Sequence, residues 1–294
     1  MTLPSIAAHV LAHELVLVEV WVTGGNHLAD NPANQGLAYR LGATHPSPHV
    51  GIEREIDGAN QDLPLSRLRY WLLPELGRFI TSTHYRNRYP RWLERFNQRV
   101  MPAIAEEPVW DTGVPERFRS LARPDGAAYE YDGIHSTFPH VSSEEAPGDN
   151  AQVHNAWGFD QSRVDAPVMA LAYEVIDEFE LGQSREQDYL AISLSATDRV
   201  GHAFGPFSQE QLSNLIHVDR ILGEFFDYLD EEVGEDKWLI GLAGDHGVLT
   251  IPEAQVEMGT NPEAQRIPEA ERNARLARAL QDAARNGGYP EDIA

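Results

Sequence analysis

Short apolar runs alternate with amphipathic segments in the second half of the chain. Residues 189–195 and 238–242 are mostly apolar and short enough to form buried strands. Between them, Ser208 precedes a segment whose apolar residues recur at helical spacing, and serine is favoured at helix N-termini. A strand–helix–strand unit is right-handed and parallel by strong preference. The pattern therefore predicts an α/β fold: a mostly parallel sheet flanked by helices on both faces, with the strands at 189–195 and 238–243 adjacent.

The remaining segments are interpreted as parts of one α/β domain spanning residues 1–294. Residues 26–58 are rich in glycine, proline, asparagine and histidine, which predicts a loop. Residues 105–165 contain many turn-forming residues, which predicts an inserted cap region. Further elements are predicted from apolar periodicity and from start and stop signals: strands at 15–22 and 79–83, and helices at 90–100, 167–181 and 267–284.

An aspartate and a histidine follow each of the two strongest strands. Asp198 and His202 come after the first strand, and Asp245 and His246 come after the second. Taken alone, either motif is more often a simple turn, in which aspartate accepts backbone hydrogen bonds and glycine supplies a positive φ. Two pairs in the same position relative to two similar strands favour a metal site, because ligands gather at the carboxyl ends of strands. Carboxylate with imidazole suits zinc, and four ligands suggest two divalent ions.

These motifs resemble those of the alkaline phosphatase superfamily, and the sequence around Asp198 and His202 is most similar to the branch that uses a threonine nucleophile. The similarity covers roughly residues 70–290 and is strongest between 138 and 252. The segments that carry it outside the two motifs are Gly77–Thr83, Pro90–Trp92 with Phe96 and Asn97, Phe138–His140, and Phe204–Pro206.

The resemblance implies a two-zinc, alkaline phosphatase-like hydrolase of phosphoric esters. Asp198 and His202 would bind the ion that faces the leaving group, and Asp245 and His246 the ion that activates the nucleophile. His140 would be a residue of the cap or a residue that supports the ligands; a histidine that closes a turn after proline is an equal alternative. A phosphodiesterase or nucleotide pyrophosphatase of the same superfamily, or a catalytically inactive α/β fragment, are the alternatives for function.

Several residues that the superfamily uses are not recognisable in this sequence. They are the first aspartate ligand, the threonine or serine nucleophile, the Lys-x-Arg pair that grips phosphate and the final histidine; the chain has a single lysine, Lys237, and no histidine after His246. The sequence is therefore expected to represent a middle portion of such an enzyme. The substrate-binding residues and the nucleophile stay unassigned.

Composition excludes several classes of protein. The net charge of −23 argues against nucleic-acid binding, which needs a basic surface. There are no cysteines, so disulfide and thiolate chemistry are unavailable. No stretch approaches the roughly 20 apolar residues that span a membrane. The apolar segment at 6–18 contains histidine and glutamate and follows no basic residue, so it is not predicted to be a signal peptide, although the resemblance implies an exported enzyme.

Overall fold

The computed structural model describes residues 18–24, 49–54, 66–73, 77–81, 87–105, 109–145, 162–183, 188–244 and 246–287. The chain divides into two compact units, residues 1–249 and 250–294. None of the described helices is both long enough and apolar enough to cross a membrane.

Six strands of the first unit form one sheet. In chain order the strands are β1 (Val18–Gly24), β2 (His49–Arg54), β3 (Ser66–Leu73), β4 (Arg78–Ile80), β7 (Asp188–Leu194) and β8 (Trp238–Ala243), and their order across the sheet is β4-β3-β2-β7-β1-β8. Two further strands, β5 (Val109–Trp110) and β6 (His140–Val141), form a separate antiparallel pair.

The strand pairing differs from the prediction. The strands at 189–195 and 238–243 are not adjacent, because β1 lies between them and pairs antiparallel with both, Val20 opposite Ile192 on one side and Leu242 on the other. Every neighbouring pair in the described sheet is antiparallel, so the prediction of mostly parallel neighbours is wrong. The strands β7 and β8 still run in the same direction, because both oppose β1. The βαβ unit is therefore kept, with one strand inserted into it.

The predicted loop at 26–58 is also wrong in part, because β2 lies within it. This strand pairs with β3 on one side and β7 on the other. Its alternating apolar residues, Val50 and Ile52, were obscured by the turn-forming residues around them. Backbone hydrogen bonds from two neighbours stabilise a strand whose local signal is weak.

The helices of the first unit pack against the sheet or against one another. They are α1 (Arg91–Ala105), α2 (Ser142–Glu145), α3 (Asp165–Phe179), α4 (Ala196–Phe204) and α5 (Gln209–Leu229), and the second unit contains α6 (Pro252–Glu257) and α7 (Glu269–Asn286). The predicted helices at 90–100, 167–181 and 267–284 are thus confirmed, with ends shifted by a few residues.

The main core lies between β7 and a layer formed by α1, α3 and α5. Leu190, Ile192 and Leu194 point toward this layer and are buried with Leu171 of α3 and Phe225 of α5. Replacing one such leucine with alanine costs about 2–5 kcal/mol, because the cavity collapses only partly. This packing fixes the end of β7 and hence the position of the residues that follow it.

Candidate metal site

The first motif lies on a helix whose start is held by buried hydrogen bonds. The strand β7 ends at Leu194, and α4 begins at Ala196. Asp165, which is fully buried, accepts a hydrogen bond from the backbone N–H of Ala196 at 3.1 Å. On the other side, Thr197 accepts one from Gln211 at its carbonyl and one from Asn214 at its hydroxyl. The first turn of α4 is therefore clamped between α3 and α5.

Asp198 and His202 lie one helical turn apart on α4, not in a loop as predicted from their place after the strand. Helical spacing of four residues puts both side chains on one face, and His202 Nε2 is 3.3 Å from Asp198 Oδ1. The His202 side chain is 77% exposed, and that of Asp198 is 15% exposed. Asp198 Oδ1 is buried and accepts no hydrogen bond from any residue that the structure describes. A buried carboxylate oxygen without a donor, beside an imidazole, fits a metal ligand pair.

The second motif follows β8. His246 is exposed, and its Nδ1 donates to the carbonyl of Gly247 at 3.1 Å. In a neutral imidazole this bond leaves the lone pair on Nε2, and metals bind histidine through such a lone pair. Asp245 lies outside the described residues.

One contact shows that the two motif segments are neighbours. A side-chain carbon placed on Gly201 of α4 would lie 3.6 Å from Cγ2 of Val248, two residues after His246. Among the described residues, no three histidine, aspartate or glutamate side chains form a metal-binding group. Convergence of Asp198, His202, Asp245 and His246 on one crevice therefore stays a prediction.

His140 lies in a different and fully buried cluster. Its Nδ1 is 2.8 Å from Glu145 Oε1, and its Nε2 is 3.2 Å from Glu210 Oε1. Its ring also packs against Phe204, the last residue of α4, at 5.0 Å between centroids. His140 therefore touches the end of the helix that carries Asp198 and His202, and its predicted supporting role stays open.

A second buried ion pair adjoins this cluster. The guanidinium of Arg123 donates to Glu130, which is buried, and to the carbonyl of Phe204. Burial and the nearby charge of Glu210 raise the pKa of Glu130 to about 7, against the opposing effect of Arg123. Burial also raises the pKa of Glu210.

The electrostatics of His140 follow from its two carboxylate partners. Burial by itself would lower the pKa of His140, but hydrogen bonds with Glu145 and Glu210 raise it to about 9. The imidazole is therefore protonated at neutral pH and offsets one of the two carboxylates. No described residue donates a hydrogen bond to Glu210 Oε2, so this acid is incompletely satisfied within the described part of the cluster.

Asp165, Glu130 and Glu210 were missed by reasoning from the sequence. Asp165 and Glu210 each lie in the first turn of a helix. Acidic residues are common there because they are attracted to the positive end of the helix dipole. Nothing local marks them as buried. Their partners lie 31 and 70 residues away along the chain.

Solved structures confirm the α/β fold. The crystal structure of wild-type alkaline phosphatase PafA matches 72% of this chain and 40% of its own with a TM-score of 0.56 and 25% sequence identity.

Curated proteins show the same relationship by sequence. Alkaline phosphatase PhoV of Synechococcus elongatus is 33% identical over 186 residues, which cover 62% of this chain and 33% of that protein. Alkaline phosphatase PafA of Elizabethkingia meningoseptica is 30% identical over 60% of this chain and 32% of its own length. Venom phosphodiesterase 2 of Crotalus adamanteus is 26% identical over 39% of this chain and 14% of its own. The chain thus spans about a third of the length of these two alkaline phosphatases.

The family model of type I phosphodiesterases and nucleotide pyrophosphatases matches residues 69–285. This match covers most of the chain and includes both aspartate–histidine motifs. The chain therefore belongs to the type I phosphodiesterase / nucleotide pyrophosphatase family, within the alkaline phosphatase superfamily.

Proposed function

We propose that this chain carries part of the metal centre of a phosphoric-ester hydrolase, with Asp198, His202, Asp245 and His246 as ligands of two zinc ions. The observation that carries the proposal is the buried Asp198 Oδ1, which lies 3.3 Å from His202 Nε2 and accepts no hydrogen bond within the described part of the chain. The proximity of Val248 to Gly201 supports the approach of the second pair.

The residues of the chain hold and orient this ligand set. The clamp on the first turn of α4 fixes the direction of the Asp198 carboxylate, since Asp165 and Thr197 anchor the backbone on both sides. One carboxylate and one neutral imidazole for each ion offset part of its double positive charge, so the site buries no excess negative charge. When bound, two such ions lower the pKa of an attacking hydroxyl or water and stabilise both the attacking and leaving oxygens.

We infer that the substrate is a phosphomonoester. The support is the identity to the alkaline phosphatases PhoV and PafA, at 33% and 30% over about three fifths of the chain. Phosphodiester hydrolysis is the second candidate, favoured by the description of the matching family and by the shorter similarity to venom phosphodiesterase 2. An inactive α/β chain that still binds metal is the third.

Metal binding tests the ligand set without requiring activity. Zinc affinity of the purified chain is measured by competition with a chromophoric chelator for Asp198→Asn, His202→Ala, Asp245→Asn and His246→Ala. Each change is expected to weaken zinc binding by at least the roughly 10–100-fold that loss of a supporting partner costs. The matched control is His135→Ala, because His135 also pairs with an aspartate three residues away, Asp132, at 2.7 Å.

The outcome separates the three candidates. Unchanged zinc affinity in all four ligand variants would refute the proposed centre. If binding falls as expected, p-nitrophenyl phosphate and its bis ester then distinguish monoesterase from diesterase by which ester is cleaved faster. Zinc binding without cleavage of either ester would favour the inactive chain.

A further inference from the structure

Arginines are concentrated in one short segment of this acidic chain. Five of the residues from 86 to 99 are arginine, and Glu94 is the one acidic residue among them, whereas the whole chain carries a net charge of −23. The segment includes the start of α1. Such a local reversal of charge raises the concentration of anions near the surface.

Three of these arginines line one cavity of about 450 Å³. We call Arg88, Arg91 and Arg95 the arginine cluster. Arg91 and Arg95 are one helical turn apart and so lie on the same face of α1, while Arg88 precedes the helix. The other side chains that line the cavity are Tyr89, Pro90, Trp92, Glu178 and Phe179.

The nearby acids are mostly engaged with other arginines. Glu94 pairs with Arg78 at 2.7 Å, and Glu174 pairs with Arg99 at 2.6 Å. Among the described residues, Glu178 is the one acid that lines the cavity. Within the described part of the chain, no ion pair or hydrogen bond engages a guanidinium of the arginine cluster. The described lining of the cavity thus contains three positive groups and one negative group.

Hydrogen bonds and ring contacts hold two of the aromatic side chains that line the cavity. The Tyr89 hydroxyl donates to the carbonyl of Phe79 and accepts from Asn97 Nδ2 at 2.7 Å, and Arg78 lies over its ring at 5.2 Å. Trp92 packs edge-on against Phe179 at 5.8 Å between centroids. The backbone N–H groups of the first turn of α1 add the positive end of a helix dipole.

We propose that the arginine cluster binds a chain of phosphate groups, as found in inorganic tripolyphosphate and in the triphosphate of a nucleotide. Arginine presents a planar fork that donates two hydrogen bonds to one phosphate, and three such forks match several anionic groups better than one. The cavity volume is within the range of about 300–1,000 Å³ that is usual for small-molecule sites. This site is separate from the proposed metal ligands and does not depend on them.

The test uses the full chain after treatment with a chelator and dialysis, so that the metal centre does not contribute. Isothermal titration calorimetry at low ionic strength compares inorganic phosphate, tripolyphosphate and adenosine triphosphate. We expect one saturable site for tripolyphosphate and affinity that falls with added salt. Inorganic phosphate is expected to bind at least about tenfold more weakly, since a tenfold change corresponds to about 1.4 kcal/mol, the scale of one charge-assisted hydrogen bond.

Two triple variants with the same change in charge separate a site from a general effect. Arg88→Gln/Arg91→Gln/Arg95→Gln removes the arginine cluster and is expected to weaken tripolyphosphate binding at least about tenfold. Arg272→Gln/Arg275→Gln/Arg278→Gln removes three charges from the exposed helix α7 and is expected to change it less than about twofold. The Arg→Lys version of the cluster variant keeps the charge and the fold, and is expected to bind with intermediate affinity because lysine lacks the fork.

Three results would overturn the proposal. They are no saturable binding of tripolyphosphate, equal losses in the two glutamine variants, and equal affinity for phosphate and tripolyphosphate. Tighter binding of adenosine triphosphate than of tripolyphosphate would identify the nucleotide as the source of the phosphates, and equal affinity would identify the phosphate chain alone. Circular dichroism confirms that each variant is folded.

Discussion

A buried, protonated imidazole on β6 faces the first turn of α5. His140 bridges Glu145 and Glu210, and Trp110, Phe138 and Phe204 surround its ring. Breaking such a pair typically costs about 3–5 kcal/mol, because a charge is left buried without its partner. His140 therefore links the folding of this region to its state of protonation.

Stability is expected to fall as the pH rises from 6.5 to about 9. The folded pKa of His140, about 9, lies above its ordinary value of 6.5, so its contribution is complete below pH 6.5 and is lost through the folded pKa. Glu130 also lowers the stability as the pH rises, because its folded pKa of about 7 lies above its ordinary value of 4.5. That loss falls between pH 4.5 and 7 and so largely precedes the loss from His140. The measurement is the free energy of urea unfolding at several pH values.

His140→Gln should remove the decline between pH 6.5 and 9. The matched control is His217→Gln, because burial and Arg220 lower the pKa of His217 to about 4 and it is neutral throughout this window. His217→Gln should keep the decline. If His140→Gln does not fold, the nuclear magnetic resonance titration of His140 decides: an imidazole that loses its proton near pH 6.5 would contradict the prediction.

At the scale of the element, α4 depends on a residue from another helix. Asp165 of α3 accepts a hydrogen bond from the backbone N–H of Ala196. The side chain of the N-cap residue Ser195 makes no capping hydrogen bond. Asp165 thus supplies the capping hydrogen bond of α4, although it lies 31 residues earlier in the chain. Burial raises its pKa to about 7.

Asp165→Ala is expected to destabilise the protein by about 1–2 kcal/mol, the usual cost of losing a cap, and to weaken zinc binding because Asp198 loses its fixed backbone. Asp165→Asn keeps an acceptor oxygen of the same size and should retain most of both. Thermal unfolding and the zinc competition assay measure the two effects. Equal behaviour of the alanine and asparagine variants would show that the hydrogen bond to Ala196 does not matter.

The elements differ in how far the sequence predicted them. Ser208 was predicted to cap α5, and it accepts the N–H of Gln211 at 3.0 Å, since capping depends on neighbours three residues apart. The order of the sheet was not predictable from local patterns, because β1 pairs with β7 and β8, which lie more than 160 residues later in the chain. The aspartate–histidine pairs were found because both members of each pair lie within a few residues of each other in the sequence. Asp165 and Glu210 have no such nearby partner.

At the scale of the whole molecule, residues 1–294 are expected to hydrolyse phosphate esters slowly. No covalent nucleophile is recognisable in the sequence, and the two-step route requires one. The proposed centre has two ligands for each ion, fewer than the three of typical catalytic zinc sites, so zinc occupancy should be partial. With zinc and p-nitrophenyl phosphate, turnover should lie below the usual range of about 1–1,000 per second. Turnover within that range would place a nucleophile in residues 1–137, where serine and threonine variants would locate it.

The strand β8 has a consequence for the behaviour of the protein at high concentration. It is the last strand in the described sheet, and Leu239 and Leu242 on it are 54% and 44% exposed. An apolar edge is a template for another chain, and the charge of −23 opposes that contact by mutual repulsion. Salt shortens the range of that repulsion to about 3 Å at 1 M.

Colloidal stability should therefore decrease as salt is added, contrary to the behaviour of proteins held together by surface ion pairs. Sedimentation velocity should show larger species at high salt, and Leu239→Lys should suppress them. Leu249→Lys is the control, because Leu249 is 82% exposed but lies outside the strand. A sedimentation coefficient that is independent of salt would mean that repulsion between molecules is not what keeps this edge unpaired.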